Sequence, residues 1–179
     1  MNSLHLMARV LSACVLTTLL VSCGGDGGSS GEKGLGSNTP PAVINGVPVP
    51  ADPGPAASST IVGVDANADG VRDEVERALA KSYGADRTRY PVAMALARSL
   101  QTVLQQPPDI LAPSAKSVIQ AQHDAFRCAA QKAGLQPATQ ISSEVNLRTF
   151  NTKDRMRERR RIEQSAGAFE IQATGGATC

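Results

Sequence analysis

Asp65-Ala66-Asn67-Ala68-Asp69-Gly70-Val71-Arg72-Asp73-Glu74-Val75-Glu76 puts oxygen-bearing side chains at the first, third, fifth, ninth and twelfth positions of a short loop, with glycine at the sixth. A hard divalent cation asks for this alternation: six to eight oxygens at about 2.3–2.6 Å, wrapped around it by a tight turn that glycine permits. On that reading Asp65, Asn67 and Asp69 bind calcium through their side chains and Val71 through its backbone carbonyl. Asp73 binds directly or through water, and Glu76 closes the site with both carboxylate oxygens. The same residues also suit a metal-free, Asx-rich turn capping a helix at Asp73, because Asp and Asn favour turns and N-caps alike.

The DxNxDGxxDxxE form resembles EF-hand loops, and still more the calcium repeats of thrombospondin type 3 and dockerin-type modules. The resemblance covers these residues alone. The segment before Asp65 is rich in Pro, Gly and Ser and then β-branched, so only the exiting helix of an EF-hand is expected. Position eight, usually apolar in EF-hands, is Arg72, and the chain has no second loop of this form. The resemblance therefore implies one structural staple rather than a cooperative sensor, with the weak affinity of extracellular modules, on the order of 10⁻⁴–10⁻³ M.

Downstream of the loop the periodicity is helical. Val71, Val75, Leu79 and Tyr83 recur every fourth position, with Gly84 as a stop. A second helix is predicted over 87–106, with Pro91 in its first turn, Val92, Leu96, Leu100, Val103 and Leu104 inward, and Pro107-Pro108 at its end. A third is predicted over 114–132, with Ser114 as N-cap, Val118, Ile119, Phe126, Ala129, Ala130 and Ala133 inward, and Gly134 as the terminal signal. A fourth, more polar helix fits 152–164, and the tail 167–179 reads as irregular or as a short strand through Phe169 and Ile171. The fold class is all-α: a domain over 60–179 of about four helices, opened by a single EF-hand-like calcium loop. Tyr83, Tyr90, Phe126, Phe150 and Phe169 are its aromatics, tryptophan is absent, and the helix faces are rich in alanine. So modest a core calls for a staple such as a metal or a disulfide.

Upstream, Gly, Ser, Pro and Ala dominate 24–59, which reads as a disordered tether too polar to offset its ordering entropy. Before it, Arg9 precedes the apolar run Val10–Val21, about a dozen residues and short of the roughly 20 that span a bilayer. Residues 1–22 thus read as a signal peptide. Leu20-Val21-Ser22-Cys23 resembles the lipobox of bacterial lipoproteins, which implies cleavage before Cys23 and its acylation, so that the mature chain is anchored to a membrane without crossing it. An ordinary cleavable signal, with Cys23 incidental, is the other reading of the same residues. The lipoprotein resemblance also implies the outer membrane of the cell envelope, since Gly24 stands where Asp marks inner-membrane retention in Gram-negative lipoproteins.

Signal removal discards Cys14 and His5 and acylation uses Cys23, leaving Cys128, Cys179 and His123. An oxidising compartment favours a Cys128–Cys179 bridge, which would close about fifty residues and stabilise by roughly 4 kcal/mol through loop-closure entropy. Two unpaired thiols are the alternative.

A formal net charge of +2 argues for no general polyanion partner. The run Arg155-Met156-Arg157-Glu158-Arg159-Arg160-Arg161 offers guanidinium groups to lipopolysaccharide or phospholipid phosphates. Asp154, Glu158 and Glu163 stand at helical spacing from it, however, which favours a solvated face of intrahelical ion pairs. His123-Asp124 has no accompanying nucleophile motif, and no GxSxG, P-loop, HExxH or CxxC occurs, so the chain is not read as an enzyme, and an enzyme of unrecognised type stands as the third reading. The expected partners are a membrane, through the lipid anchor, and an envelope protein or polyanion, with no nucleic acid. The whole resembles bacterial lipoproteins as a class, and that likeness implies no particular activity.

Overall fold

The chain leaves the loop through Arg72, whose extended backbone (φ −62°, ψ 141°) turns directly into α1 (Asp73–Tyr83). Four more helices follow: α2 (Arg89–Leu104), α3 (Ala112–Ala133), α4 (Leu135–Thr149) and α5 (Lys153–Ala166). The structure is a computed structural model that describes residues 42–172. Among them are these five helices and one two-stranded antiparallel sheet, so the protein is mostly helical.

α2 is the central element, in contact with the other four helices. Its Val92, Ala93, Met94, Leu96, Ala97, Leu100, Val103 and Leu104 are all buried, which covers more than one face. α1 adds Val75, Leu79 and Ala80, α4 adds Ala138, Ile141 and Val145, and α5 adds Ile162 and Ala166. Much of this cluster is alanine and valine, which lets the helices approach closely but buries little area per residue.

The sequence foresees about four helices; α4 is the additional one. Gly134, with φ 86°, ends α3 and begins α4 with no intervening loop, so a stop signal here is also a sharp corner. α3 starts earlier than expected, at Ala112 after Leu111, and Ser114 does not cap it. Thr152 does cap α5, its Oγ1 accepting the Arg155 N–H at 3.2 Å. Residues 167–172 form no strand.

The stretch read as a tether is ordered in its second half. β1 (Ala42–Ile44) and β2 (Val47–Val49) pair through an Asn45-Gly46 turn, with φ 49° and 81° at the two turn residues. Those are the positive angles a two-residue hairpin turn needs. Asn45 Nδ2 donates to the carbonyls of Ala80 (3.1 Å) and Lys81 (2.9 Å), so the turn is bonded to carbonyls near the end of α1. The predicted signal peptide, Cys23 and Cys179 lie outside the described residues.

Candidate metal centre

The loop is folded by its own acidic side chains. Asp65 Oδ1 accepts the Asp69 N–H at 3.1 Å and its Oδ2 accepts the Gly70 N–H at 2.9 Å. Asn67 Oδ1 accepts the Asp69 N–H at 3.2 Å, and Asp69 Oδ1 accepts the Val71 N–H at 2.8 Å. Ala68 (φ 55°) and Gly70 (φ 85°) supply the left-handed backbone that makes the turn this tight. The base is closed twice: the Asp73 N–H donates to the Val64 carbonyl at 2.8 Å, and Asp73 Oδ1 accepts the Ala66 N–H at 2.9 Å. Asp73 is therefore turned back across the loop, and α1 has no side-chain N-cap.

Two of the expected side-chain ligands are buried, Asp73 at 2% and Glu76 at 4% exposure. Burial, followed by the charges of Asp69, Asp73 and Asp65, pushes the Glu76 carboxyl up to about 7, with the Asn67 amide opposing. Asp73 is raised too, by burial first and then by Asp65, Glu74 and Asp69, against the Ala66 hydrogen bond. Folding thus brings Asp65, Asp69, Asp73 and Glu76 within mutual repulsion. An all-oxygen, carboxylate-rich donor set of this kind fits a hard dication better than a soft metal. As they stand, no three Asp, Glu, His or Cys side chains among the described residues surround a single point. Two of the carboxylates are engaged by other partners: the Asn67 amide holds Glu76 Oε2 at 3.1 Å, and Arg98 Nη2 holds Asp69 Oδ2 at 3.3 Å.

The residue that breaks the EF-hand pattern, Arg72, is the loop's anchor. It is wholly buried, and its Nη2 donates to the carbonyls of Arg148 (2.9 Å) and Thr149 (3.0 Å) near the end of α4. Its Nε meets Glu74 at 2.7 Å, and the same carboxylate lies 3.8 Å from Arg155 of α5. Arg155, also wholly buried, donates to the carbonyls of Ala57 (2.6 Å), Thr60 (3.1 Å) and Ile61 (2.9 Å) on the segment leading into the loop. Burial lowers the Arg72 guanidinium to about 10, which leaves it charged at neutral pH. Two arginines and one glutamate thus fix both ends of the loop to the α4–α5 corner. In the sequence the only sign of this was an arginine where an apolar residue is usual.

Arg155 is accordingly withdrawn from the arginine face of α5. Arg157 pairs with Asp154, Arg159 with Glu163 at 2.8 Å, and Arg161 with Glu158. Arg159 also lies over the Phe150 ring at 5.1 Å, and Arg161 reaches the carbonyls of Pro107 and Pro108. Arg160 is exposed. His123 is exposed on α3, with Asp124 accepting from Gln120 and paired with Arg127.

No protein family, curated protein or solved structure matches this chain.

Proposed function

We propose that the chain is an exported lipoprotein, anchored to the outer membrane through acylated Cys23, whose helical domain is stapled by one calcium ion in the loop 65–76. In this reading the domain is an interaction or envelope-structural module, and catalysis has no part in it. The observation that carries the calcium reading is Glu76, a buried carboxyl at the closing position of the loop, repelled by Asp69, Asp73 and Asp65. A dication bound among these groups offsets both the desolvation of Glu76 and the mutual repulsion. The same ion would rigidify a loop that is already tied to α4 and α5 by Arg72 and Arg155, so its staple would reach the whole corner.

The anchor rests on the apolar run Val10–Val21 and on Leu20-Val21-Ser22-Cys23. No helix among the described residues is long and apolar enough to cross a membrane, so the acyl chains would carry the attachment. A Cys128–Cys179 disulfide is part of the proposal, as a second staple pinning the C-terminus to α3. The polyanion reading draws less support, since Arg155 is buried and Arg157, Arg159 and Arg161 have acidic partners.

Thermal unfolding of the full-length chain in detergent, with calcium and with chelator, tests the reading. For a dissociation constant of about 10⁻⁴–10⁻³ M, calcium at roughly 10 mM contributes about 1.4–2.7 kcal/mol, a rise of several degrees. The rise should vanish in the Asp65→Ala, Glu76→Ala double variant. Coincident melts of the wild type with and without calcium would refute the staple.

A further inference from the structure

We infer that Arg98 is the built-in counter-cation of the calcium loop: it holds Asp69 when the metal is absent, competes with the metal for that carboxylate, and so sets the affinity low. The inference rests on the calcium reading above and adds to it the residue that tunes the site.

Arg98 comes from α2, far from the loop in sequence. Its aliphatic stem crosses the tight turn at Gly70, with Cγ 3.6 Å and Cδ 3.9 Å from where a Cβ would stand at that glycine. Its Nε donates to the Asp69 carbonyl at 2.7 Å and its Nη2 to Asp69 Oδ2 at 3.3 Å. Asp69 Oδ1 is already engaged by the Val71 N–H, so the guanidinium occupies the carboxylate's other oxygen. Arg72, although inside the loop, sends its charge the other way, into the α4–α5 corner. Arg98 is thus the guanidinium bound to an expected metal ligand among the described residues.

Two consequences follow from elementary electrostatics. A dication that takes Asp69 must share it with a positive charge a few ångströms away or displace that charge, and either reduces its binding energy. The guanidinium side chain is 47% exposed, so water screens the repulsion and accepts the released group, which keeps the exchange reversible. Without metal, the same contact relieves one of the carboxylates that repel Glu76 and holds the loop closed. Arg98 and calcium therefore act as alternative partners of Asp69.

Calcium titration calorimetry on the full-length chain in detergent, for the wild type, Arg98→Gln and Arg98→Lys, decides the matter. Arg98→Gln should bind calcium roughly three- to tenfold more tightly, and the gain should shrink at high salt. Arg98→Lys, which keeps the charge, should stay near the wild type. In chelator, Arg98→Gln should melt below the wild type, a readout that also reports whether the variant folds. If the wild type binds calcium and Arg98→Gln binds it no more tightly, or Arg98→Lys gains as much as Arg98→Gln, the role of Arg98 is overturned and the calcium site stands. If neither the wild type nor Arg98→Gln takes up calcium, the calcium reading itself fails and the inference falls with it.

Discussion

At Gly63 a Cβ would stand 2.2 Å from Arg72 Cδ and 3.0 Å from Arg155 Nη2, at a backbone angle of φ 78°. Two buried guanidinium side chains pass over this one position, and both are fixed by carbonyls on other segments, so neither can swing aside without losing its partners. Gly63→Ala should therefore cost at least about 3 kcal/mol, the sum of left-handed strain and displacement of a buried charged side chain. Chemical denaturation of the variant measures this directly, and an unchanged midpoint would mean that Arg72 does not pack as described. In the sequence Gly63 is one small residue in an apolar lead-in. What makes it indispensable is the crossing of Arg72 and Arg155, residues separated by much of the domain.

The hairpin shows how one element can complete another. Asn45 stands in the left-handed region that its turn requires and donates twice to carbonyls near the end of α1. Opposite it, a Cβ at Gly84 would meet the Asn45 Cβ at 3.0 Å and the Ile44 carbonyl at 3.2 Å, so turn and helix end are in close contact. Asn45→Gly keeps the turn geometry and removes both bonds. It should cost about 1–2 kcal/mol and speed amide exchange in the last turn of α1, while leaving α3 and α5 protected. Exchange rates in α1 equal to those of the wild type would show that the hairpin does not cap it. Asn-Gly between Ala42-Val43-Ile44 and Val47-Pro48-Val49 is a hairpin signal that can be read in the sequence, but the surrounding prolines and glycines outweigh it in composition. α4 is hidden for a different reason: its Leu135 and Leu147 are exposed, at 67% and 76%, while the buried face is the sparse set Ala138, Ile141 and Val145. Its two leucines lie off the hydrophobic face, which only three smaller or β-branched residues mark.

For the whole molecule, the acidic loop ties stability to pH. Glu76 has its folded value raised from 4.5 to about 7, and Asp73 is shifted in the same direction. A carboxyl raised in the native state binds more protons folded than unfolded, so stability falls as pH climbs from about 4.5 to about 7 and levels off above. Asp86 and Glu144 are lowered and act in the opposite sense, but over the acidic range at and below their ordinary values. In chelator, the chain should therefore melt at a higher temperature at pH 5.5 than at pH 7.5. Glu76→Gln should flatten that slope, and calcium should remove it by stabilising the charged form. A melting temperature that climbs over this range, or a slope that Glu76→Gln leaves intact, would contradict the picture of the loop as a set of repelling carboxylates.

The sequence by itself determined the mostly helical architecture, the stops at Gly84 and Gly134, a polar helix over 152–164, and the identity of the loop residues. Each of these is written in local spacing: a period near four, a breaker, or an oxygen at alternate positions. Only the tertiary structure decided which charges are spent inside. Arg72 is read locally as a departure from the EF-hand pattern and Arg155 as part of a solvated arginine face, yet burial beside Glu74 and the carbonyls of distant segments makes them the pins of the α4–α5 corner. Arg98 carries no local sign of its role, and its bond to Asp69 arises only because α2 packs beside the loop. The physical reason is common to all three: the sequence fixes a side chain's donors, and packing alone fixes the acceptors that reach them.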